Sequence, residues 1–172
     1  HEAAAVIAEP LVQGAGGMIF HDAATLKRLR AACDRHNVLL ILDEIFTGFG
    51  RTGSLFACEQ AGIAPDIMTL SKALTGGTMA LAATIARAHV FEAFLGEEAG
   101  KALMHGPTYT GNALACAAAN ASLDLFECEP RLEQAARIEA QLARELEAAR
   151  GLPGVRDVRV KGAIGVIELE AI

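Results

Sequence analysis

The sequence predicts an α/β fold in which helices flank a mostly parallel β-sheet. Two short runs, over residues 38–42 and 66–70, are strand-like: the first is apolar throughout, and the second is apolar at Ile67, Met68 and Leu70. That pattern is typical of a strand covered on both faces, as in a parallel sheet between helices. A helical pattern separates the run at 38–42 from an earlier strand-like run at 3–9. This strand–helix–strand order is the repeating unit of a parallel sheet.

The first helix is predicted over residues 22–35. Asp22 is a suitable N-cap, since its carboxylate can accept a hydrogen bond from the first turn. Leu26, Leu29 and Cys33 recur at helical spacing and indicate one apolar face. Asn37 tolerates the left-handed conformation that ends a helix. The helix should therefore pack against the sheet and return the chain to the strand at 38–42.

The rest of the chain predicts a further strand, three helices and a pair of strands. The predicted elements are a strand over 81–87, a short helix over 89–95, a buried Ala-rich helix over 112–127, a helix over 131–150 with Pro130 at its first position, and strands over 155–161 and 164–169. The composition changes near Pro130. We therefore expect residues 1–129 to form the C-terminal half of a large α/β domain, and residues 130–172 to begin a small α+β domain.

Composition restricts the class of protein. The chain has 172 residues, of which 52% are hydrophobic and 21% charged, and this balance excludes a disordered chain. The net charge of −6 and the scattered Lys and Arg residues argue against nucleic-acid binding. No apolar run approaches the ~20 residues of a membrane span. The four cysteines have neither metal-ligand nor disulfide-rich spacing, which favours a reducing compartment and a soluble cytoplasmic protein without a metal site.

The chain begins without an initiator Met at His1, just before the strand-like run at 3–9, and stops at Ile172, within the strand pattern that starts at residue 164. We therefore expect a piece of a longer polypeptide that is inactive, or barely active, by itself.

Lys72 is the strongest candidate for a chemical role. It stands between the run at 66–70 and the Gly76–Gly77 turn, whereas Lys27, Lys101 and Lys161 have ordinary surface contexts. An amine held against apolar surroundings loses its proton more readily, which suits a nucleophile that forms a Schiff base with a carbonyl. The alternative is a lysine that pairs with an acidic residue at the edge of the sheet. Residue context alone leaves both interpretations open.

Asp43 ends the run at 38–42 and permits two functional interpretations. Four apolar residues followed by Asp43 and Glu44 resemble a Walker B segment, in which the aspartate holds magnesium for a nucleotide hydrolase. The phosphate-binding loop that such an enzyme needs does not occur in this sequence. In the interpretation we prefer, Asp43 pairs with the protonated ring nitrogen of a cofactor and makes that ring an electron sink. Glu44 is then structural.

Other candidates carry weaker signals. Thr108 precedes a helix, so it could help bind a phosphate at the helix N-terminus or could simply cap the helix. Glu9 ends the first strand and could line the same edge as Asp43, or pair with an arginine. The Gly14–Gly17 stretch is more typical of a turn than of a phosphate loop. His105 is assigned no catalytic role.

Taken together, the segments around these residues resemble a known family. The strings DEIFTGFGRTG (43–53) and DIMTLSKALTGG (66–77) are similar to the signature of class III pyridoxal-phosphate aminotransferases. The resemblance implies part of a fold-type I large domain, the cofactor pyridoxal 5′-phosphate and a homodimer. It makes the nucleotide hydrolase a distant alternative, and it leaves a binding module that has lost its chemistry as a further one.

The resemblance also implies a role for each matching position. Lys72 would bind the cofactor covalently, contact the substrate and carry a proton during transfer. Asp43 would hold the ring nitrogen protonated. Pro107 and Thr108 would contact the cofactor phosphate from the neighbouring subunit, and Gly106 would line the substrate channel. Phe46 stands where relatives often have a smaller residue, so we expect a local change in packing there.

Four further strings are similar to one branch of this class. They are VQGAGGM (12–18), KALTGGTM (72–79), MHGPT (104–108) and GAIGV (162–166). The branch acts in biotin biosynthesis and takes its amino group from S-adenosylmethionine. The alternative is another class III enzyme that acts on 4-aminobutyrate, ornithine derivatives or other ω-amines. The family's upstream phosphate loop, its ring-stacking aromatic residue and its downstream substrate-binding arginine lie outside these residues.

Overall fold

The computed structural model describes residues 2–170 and contains the α/β fold that the sequence predicts. Its strands and helices, in chain order, are β1 (Ala5–Ala8), β2 (Val12–Gln13), β3 (Ile19–Phe20), α1 (Ala23–His36), β4 (Leu39–Asp43), β5 (Ile67–Leu70), β6 (Ala83–Ala86), α2 (Ala88–Glu92), α3 (Ala113–Cys128), α4 (Arg131–Leu146), β7 (Val155–Lys161) and β8 (Ile164–Leu169). Four short 3₁₀ helices connect them, at Ala57–Ala61, Lys72–Thr75, Ala99–Lys101 and Glu147–Gly151.

The main sheet has four strands in the order β1-β4-β5-β6. β1 pairs with β4, and β4 with β5, in parallel, so their carboxyl ends lie at the same edge. β6 pairs antiparallel with β5. The sheet is therefore mostly parallel, and the carboxyl-terminal edge of β1, β4 and β5 is where an open α/β sheet binds its ligands.

Helix α1 has the ends that its sequence predicts. The Asp22 carboxylate accepts a hydrogen bond from the Thr25 backbone N–H at 2.7 Å. Asn37 ends the helix in the left-handed conformation, with φ of 52°. Leu26 and Cys33 are the buried residues of the helix. The helix is thus fixed at both ends and covers the sheet between β1 and β4.

The hairpin of β7 and β8 packs onto the first part of the chain. Ile164 belongs to the same buried apolar cluster as Leu11, Val12 and Leu26. At the tip of the hairpin, the Ala163 N–H donates to the Arg51 carbonyl at 2.9 Å. A Cβ added to Gly162 would lie only 2.4 Å from the same carbonyl oxygen. This close approach requires glycine, which also adopts the positive φ of 55° at that position.

Three expectations about the second half of the chain need correction. Helix α3 was expected to be buried, but only Ala115 and Ala119 are, and Leu114 is 71% exposed. Pro130 is the N-cap of α4 rather than its first residue. The helix expected over 131–150 is α-helical only to Leu146, because its last turn tightens into the 3₁₀ helix Glu147–Gly151.

The segment over residues 91–111 lies on the surface along its whole length. It carries several large apolar side chains that are at least half exposed: Phe91, Leu95, Leu103, Met104 and Tyr109. None of the helices in the described part of the chain has the length and apolar character of a membrane span.

Candidate active site

A cleft of about 350 Å³ lies at the carboxyl-terminal edge of the main sheet. It contains the charged residues that follow three neighbouring strands: Glu9 after β1, Asp43 at the end of β4 and Lys72 after β5. Gly14, Ala15, Met18, Ile45 and Phe46 complete its lining. The structure thus brings Asp43 and Lys72 to one cleft, within the size range of small-molecule sites.

Lys72 has an unusual backbone conformation. Its φ of 47° lies in the left-handed region, which a non-glycine residue adopts at an energetic cost of about 1–3 kcal/mol. Such strain is concentrated at functional sites. The lysine begins the 3₁₀ helix Lys72–Thr75, and its Nζ lies 5.8 Å from the centroid of the Phe46 ring. The expected burial of Lys72 in apolar surroundings is not seen, because the residue is exposed in this chain.

Asp43 has one carboxylate oxygen engaged within the chain. Its Oδ1 accepts the Ile45 backbone N–H at 3.0 Å. Among residues 2–170, neither Asp43 nor Lys72 has an ion-pair partner. In the sheet Asp43 stands opposite Thr69, whose Oγ1 is buried without a hydrogen-bond partner in the described residues. The cleft therefore has a carboxylate and an amine whose charges are available to a ligand.

Glu44, the neighbour of Asp43, is a structural residue. It is fully buried, and its carboxylate accepts hydrogen bonds from the backbone N–H groups of Ala57 and Cys58 at 3.0 and 2.9 Å. The Thr47 hydroxyl donates to the same carboxylate. With its oxygens committed to these donors, Glu44 is badly placed to orient water in a hydrolase. Burial and the adjacent Glu44 charge raise the pKa of the Cys58 thiol to about 12.

Phe46 has a larger part in the site than the sequence suggested. The Arg51 Cζ lies 5.2 Å from the centroid of its ring, and the Arg51 Nε donates to the Phe46 carbonyl at 2.7 Å. A Cβ on Gly14 would lie 3.1 Å from the ring, so Gly14 leaves space for it. One sign of this packing was present in the sequence: Phe46 stands where similar proteins often have a smaller residue.

Glu9 lines the cleft and fixes its neighbouring turn. Its Oε2 accepts the Gly14 backbone N–H at 2.8 Å, while its carbonyl oxygen lies 3.0 Å from the His21 Nε2. The expected turn at Gly14–Gly17 is present between β2 and β3. No arginine pairs with Glu9 in the described part of the chain.

Gly106, Pro107 and Thr108 do not line the cleft that contains Lys72. All three are exposed, and Pro107 borders a separate cleft of about 600 Å³ beside Ser71 and Thr84. Helix α3 is capped by Asn112, whose side chain accepts the Leu114 and Ala115 N–H groups. Thr108 is therefore not the cap of this helix.

The chain belongs to the class III aminotransferases. The sequence model of that family, described as "Aminotransferase class-III", matches residues 1–171. The resemblance noted in the sequence is thus confirmed over almost the whole chain.

Individual members of the family are similar to this chain over nearly its whole length. The adenosylmethionine-8-amino-7-oxononanoate aminotransferase of Mycobacterium leprae is 56% identical over 98% of this chain. The solved structure of the enzyme of the same name from Methanocaldococcus jannaschii has a TM-score of 0.91 and 42% identity over 96% of the chain. An ornithine aminotransferase from Toxoplasma gondii has a TM-score of 0.86 and 35% identity over 96% of it. The chain spans 38%, 39% and 38% of these proteins, respectively.

Proposed function

We propose that the protein transfers an amino group from S-adenosylmethionine to 8-amino-7-oxononanoate, giving 7,8-diaminononanoate in biotin biosynthesis. The main structural support is the cleft in which Asp43 and Lys72 meet. The names of the relatives from M. leprae and M. jannaschii supply the reaction. Since the chain spans 38–39% of those proteins, the activity is proposed for the full-length protein.

The residues of the cleft fit pyridoxal 5′-phosphate. The T. gondii relative is described as having this cofactor at its active site. In our proposal the Lys72 amine binds it covalently, and Asp43 holds its ring nitrogen protonated. The Asp43 carboxylate suits that task because only its Oδ1 accepts a hydrogen bond within the described residues. When bound, the cofactor supplies an electron sink that stabilises negative charge at the substrate carbon.

Lys72 does the rest of the proposed chemistry at its Nζ. With the cofactor bound, the Lys72 amine would hold it covalently and, when free, would act as a general base and acid that moves one proton. The strained backbone of Lys72, two residues after the end of β5, fixes the point from which its side chain extends. Lys72 is thus the proposed catalytic residue and also contacts the substrate.

We further propose that the active protein is a homodimer. In this proposal Pro107 and Thr108 contact the cofactor phosphate of the neighbouring subunit, and Gly106 lines its substrate channel. Two observations support it: these residues do not line the cleft of their own chain, and the segment 91–111 exposes large apolar side chains. An apolar surface of this kind is typical of a protein–protein interface.

The division into domains and the cellular location also remain proposals. A boundary near residue 130 is supported by the main sheet, which lies within residues 5–86, and by the separate sheet of β7 and β8. A cytoplasmic location is supported by the cysteines, since Cys33, Cys58, Cys116 and Cys128 are all free thiols.

A second candidate is another class III aminotransferase, acting on ornithine or a different ω-amine. It is favoured by the backbone similarity to the T. gondii ornithine aminotransferase, whose TM-score is 0.86. The two candidates share Lys72 and Asp43 and differ in the amino donor.

The test is a half-reaction with the full-length, cofactor-loaded protein. S-adenosylmethionine, ornithine and 4-aminobutyrate are added separately, and the loss of the visible absorption of the bound cofactor is followed. The proposal expects that, of the three donors, only S-adenosylmethionine removes this absorption. The absorption should return when 8-amino-7-oxononanoate is added. Loss with ornithine or 4-aminobutyrate and none with S-adenosylmethionine would favour the second candidate. If no donor changes the spectrum and Lys72 cannot be trapped with borohydride, the protein lacks the proposed activity.

A further inference from the structure

We propose that Thr75 is a positioning residue for Lys72. Its hydroxyl group would hold the 3₁₀ helix Lys72–Thr75 in the conformation that directs the Lys72 side chain into the cleft. Thr75 itself does not line that cleft. The inference rests on the function proposed above, because it concerns how readily Lys72 captures the cofactor.

Thr75 is the buried end of the helix that Lys72 begins. It is 2% exposed, and its Oγ1 donates to the Met79 carbonyl at 2.6 Å. The Thr75 carbonyl in turn accepts the Thr78 hydroxyl at 2.8 Å. These two hydrogen bonds close the turn at Gly76 and Gly77, which both have positive φ. The Thr75 end of the helix is thus fixed to the segment that follows it.

The Lys72 end of the helix is fixed to the same segment. The Ser71 hydroxyl, directly before Lys72, donates to the Leu81 carbonyl at 2.7 Å. From the side, the Ser122 hydroxyl of α3 donates to the Ala73 carbonyl at 3.3 Å. Three hydroxyl groups therefore restrain a helix of only four residues. Among them only the hydroxyl of Thr75 belongs to a buried residue.

The restraint matters because the backbone of Lys72 is strained. A left-handed conformation such as its φ of 47° persists only where the surrounding structure enforces it. Since φ is a rotation about the N–Cα bond, relaxation to an ordinary negative value would redirect the side chain relative to β5. A reacting group that is misplaced by ~1 Å can lose ~10²-fold in rate. The Thr75 hydroxyl bonds a backbone carbonyl and not the amine, so it acts on the position of the amine rather than on its charge.

The experiment measures capture of the cofactor by the full-length protein freed of it. Pyridoxal 5′-phosphate is added at increasing concentrations, and samples are reduced with borohydride after increasing times. In this reaction the neutral amine adds to the aldehyde carbon, the aldehyde oxygen leaves as water, and hydride reduces the resulting C=N bond to a stable C–N bond. Mass spectrometry quantifies the cofactor fixed to the peptide that contains Lys72.

Thr75→Val keeps the shape of the side chain but removes its hydroxyl. We expect the maximal attachment rate to fall by ~10-fold, because the helix is then free to relax. The cofactor concentration that gives half of this rate should change by less than about twofold, since Thr75 does not line the cleft. Thr75→Ser keeps the hydroxyl and should restore the maximal rate to within about twofold of the wild type.

The chain offers a matched control in Ser54. Its hydroxyl donates to the Phe56 carbonyl at 2.7 Å, and neither residue lines the cleft with Lys72. Ser54→Ala removes a hydrogen bond of the same kind and should leave the attachment rate unchanged. Urea unfolding gives the folded fraction of each variant, so that rates are compared per folded molecule.

A second variant releases the same helix from the side of α3. Ser122→Ala removes the longer hydrogen bond to Ala73, so we expect attachment to slow by only about threefold. This variant decides the question if Thr75→Val does not fold, and an unchanged rate would then overturn the inference. A folded Thr75→Val protein with the wild-type maximal rate, or a Thr75→Ser protein as slow as Thr75→Val, would overturn it while leaving the aminotransferase proposal intact. A wild-type protein that never attaches the cofactor would overturn both.

Discussion

The charged residues at the two edges of the main sheet differ in whether they are paired within the chain. At the amino-terminal edge, the Asp66 carboxylate accepts the Leu40 N–H at 2.8 Å and an Arg30 N–H at 2.7 Å. The Arg87 N–H donates to the Asp66 carbonyl, and Arg30 also pairs with Asp34. Burial alone would raise the pKa of Asp66, but these donors outweigh it and hold that pKa below its ordinary value. Asp66 is therefore a structural acid.

The carboxyl-terminal edge has an acid and an amine without ion pairs in the described chain. Asp43 and Lys72 are held there by the ends of β4 and β5, yet their charges face a cleft. The comparison indicates that a structural charge differs from a functional one in its ion pairs and hydrogen bonds within the chain. Residue type and position on a strand do not distinguish the two. Four predictions test this distinction in the full-length protein, from the largest expected effect to the smallest.

Lys72→Ala should reduce amino transfer by at least ~10³-fold, because it removes both the covalent anchor and the general acid and base. The free energy of unfolding should stay near that of the wild type, since Lys72 makes no ion pair in residues 2–170. Turnover and urea unfolding measure the two quantities. Lys27→Ala, at an exposed lysine of helix α1, is the control. Full turnover in Lys72→Ala would remove the basis of the comparison.

Asp43→Asn should lower amino transfer by about 10²-fold, because the neutral amide no longer stabilises a protonated ring nitrogen. The Ile45 N–H can still donate to the amide oxygen, so the fold should remain. The absorption spectrum of the bound cofactor and the turnover rate report the change. If Asp43→Asn lowered the free energy of unfolding as much as is expected for Asp66→Asn, Asp43 would be a structural acid like Asp66.

Asp66→Asn should do the opposite and destabilise the fold by about 1–2 kcal/mol, because a neutral amide binds the largely buried Arg30 less strongly than the carboxylate does, although Arg30 keeps its pair with Asp34. Turnover per folded molecule should not change, since Asp66 lies at the edge away from the cleft. Urea unfolding and an active-site titration give the two values. A variant as stable as the wild type but slow in turnover would contradict the assignment of the two edges.

The acid dependence of stability should distinguish the same residue. The pKa of Asp66 in the folded state is below its unfolded value of about 3.9. Its contribution to stability is therefore complete above that value and is lost as the pH falls through the folded pKa. The difference in unfolding free energy between the wild type and Asp66→Asn should be constant above about pH 4 and should shrink as the pH falls further. The His89 Nε2 lies 3.7 Å from the same carboxylate. A difference that stayed constant over the whole pH range would show that Asp66 does not titrate as described.

Local signals were sufficient for much of the fold. The caps at Asp22 and Asn37 and the strands Val155–Lys161 and Ile164–Leu169 follow from side-chain chemistry and from periodicity within a few residues. The placement of Asp43 and Lys72 in one cleft also followed from sequence, because parallel strands bring their carboxyl ends to one edge.

Features that depend on distant contacts could not be predicted in this way. The two-residue strands β2 and β3 are too short to have a period, and nothing in the pattern of β6 fixes its antiparallel direction. Helix α3 is apolar enough for a core, yet its leucines are exposed in this chain. Contacts of Phe46 with Gly14 and Arg51 likewise arise only from the folded chain.

Through the glycine at the tip of the β7–β8 hairpin, one wall of the cleft depends on a segment that is synthesised after it. Gly162 and Ala163 lie against the carbonyl of Arg51, and Arg51 in turn holds the backbone of Phe46. About a hundred residues leave the ribosome between the two partners of this contact. One wall of the cleft is thus completed only after those residues have been made, by a segment that contains none of the residues assigned to the chemistry.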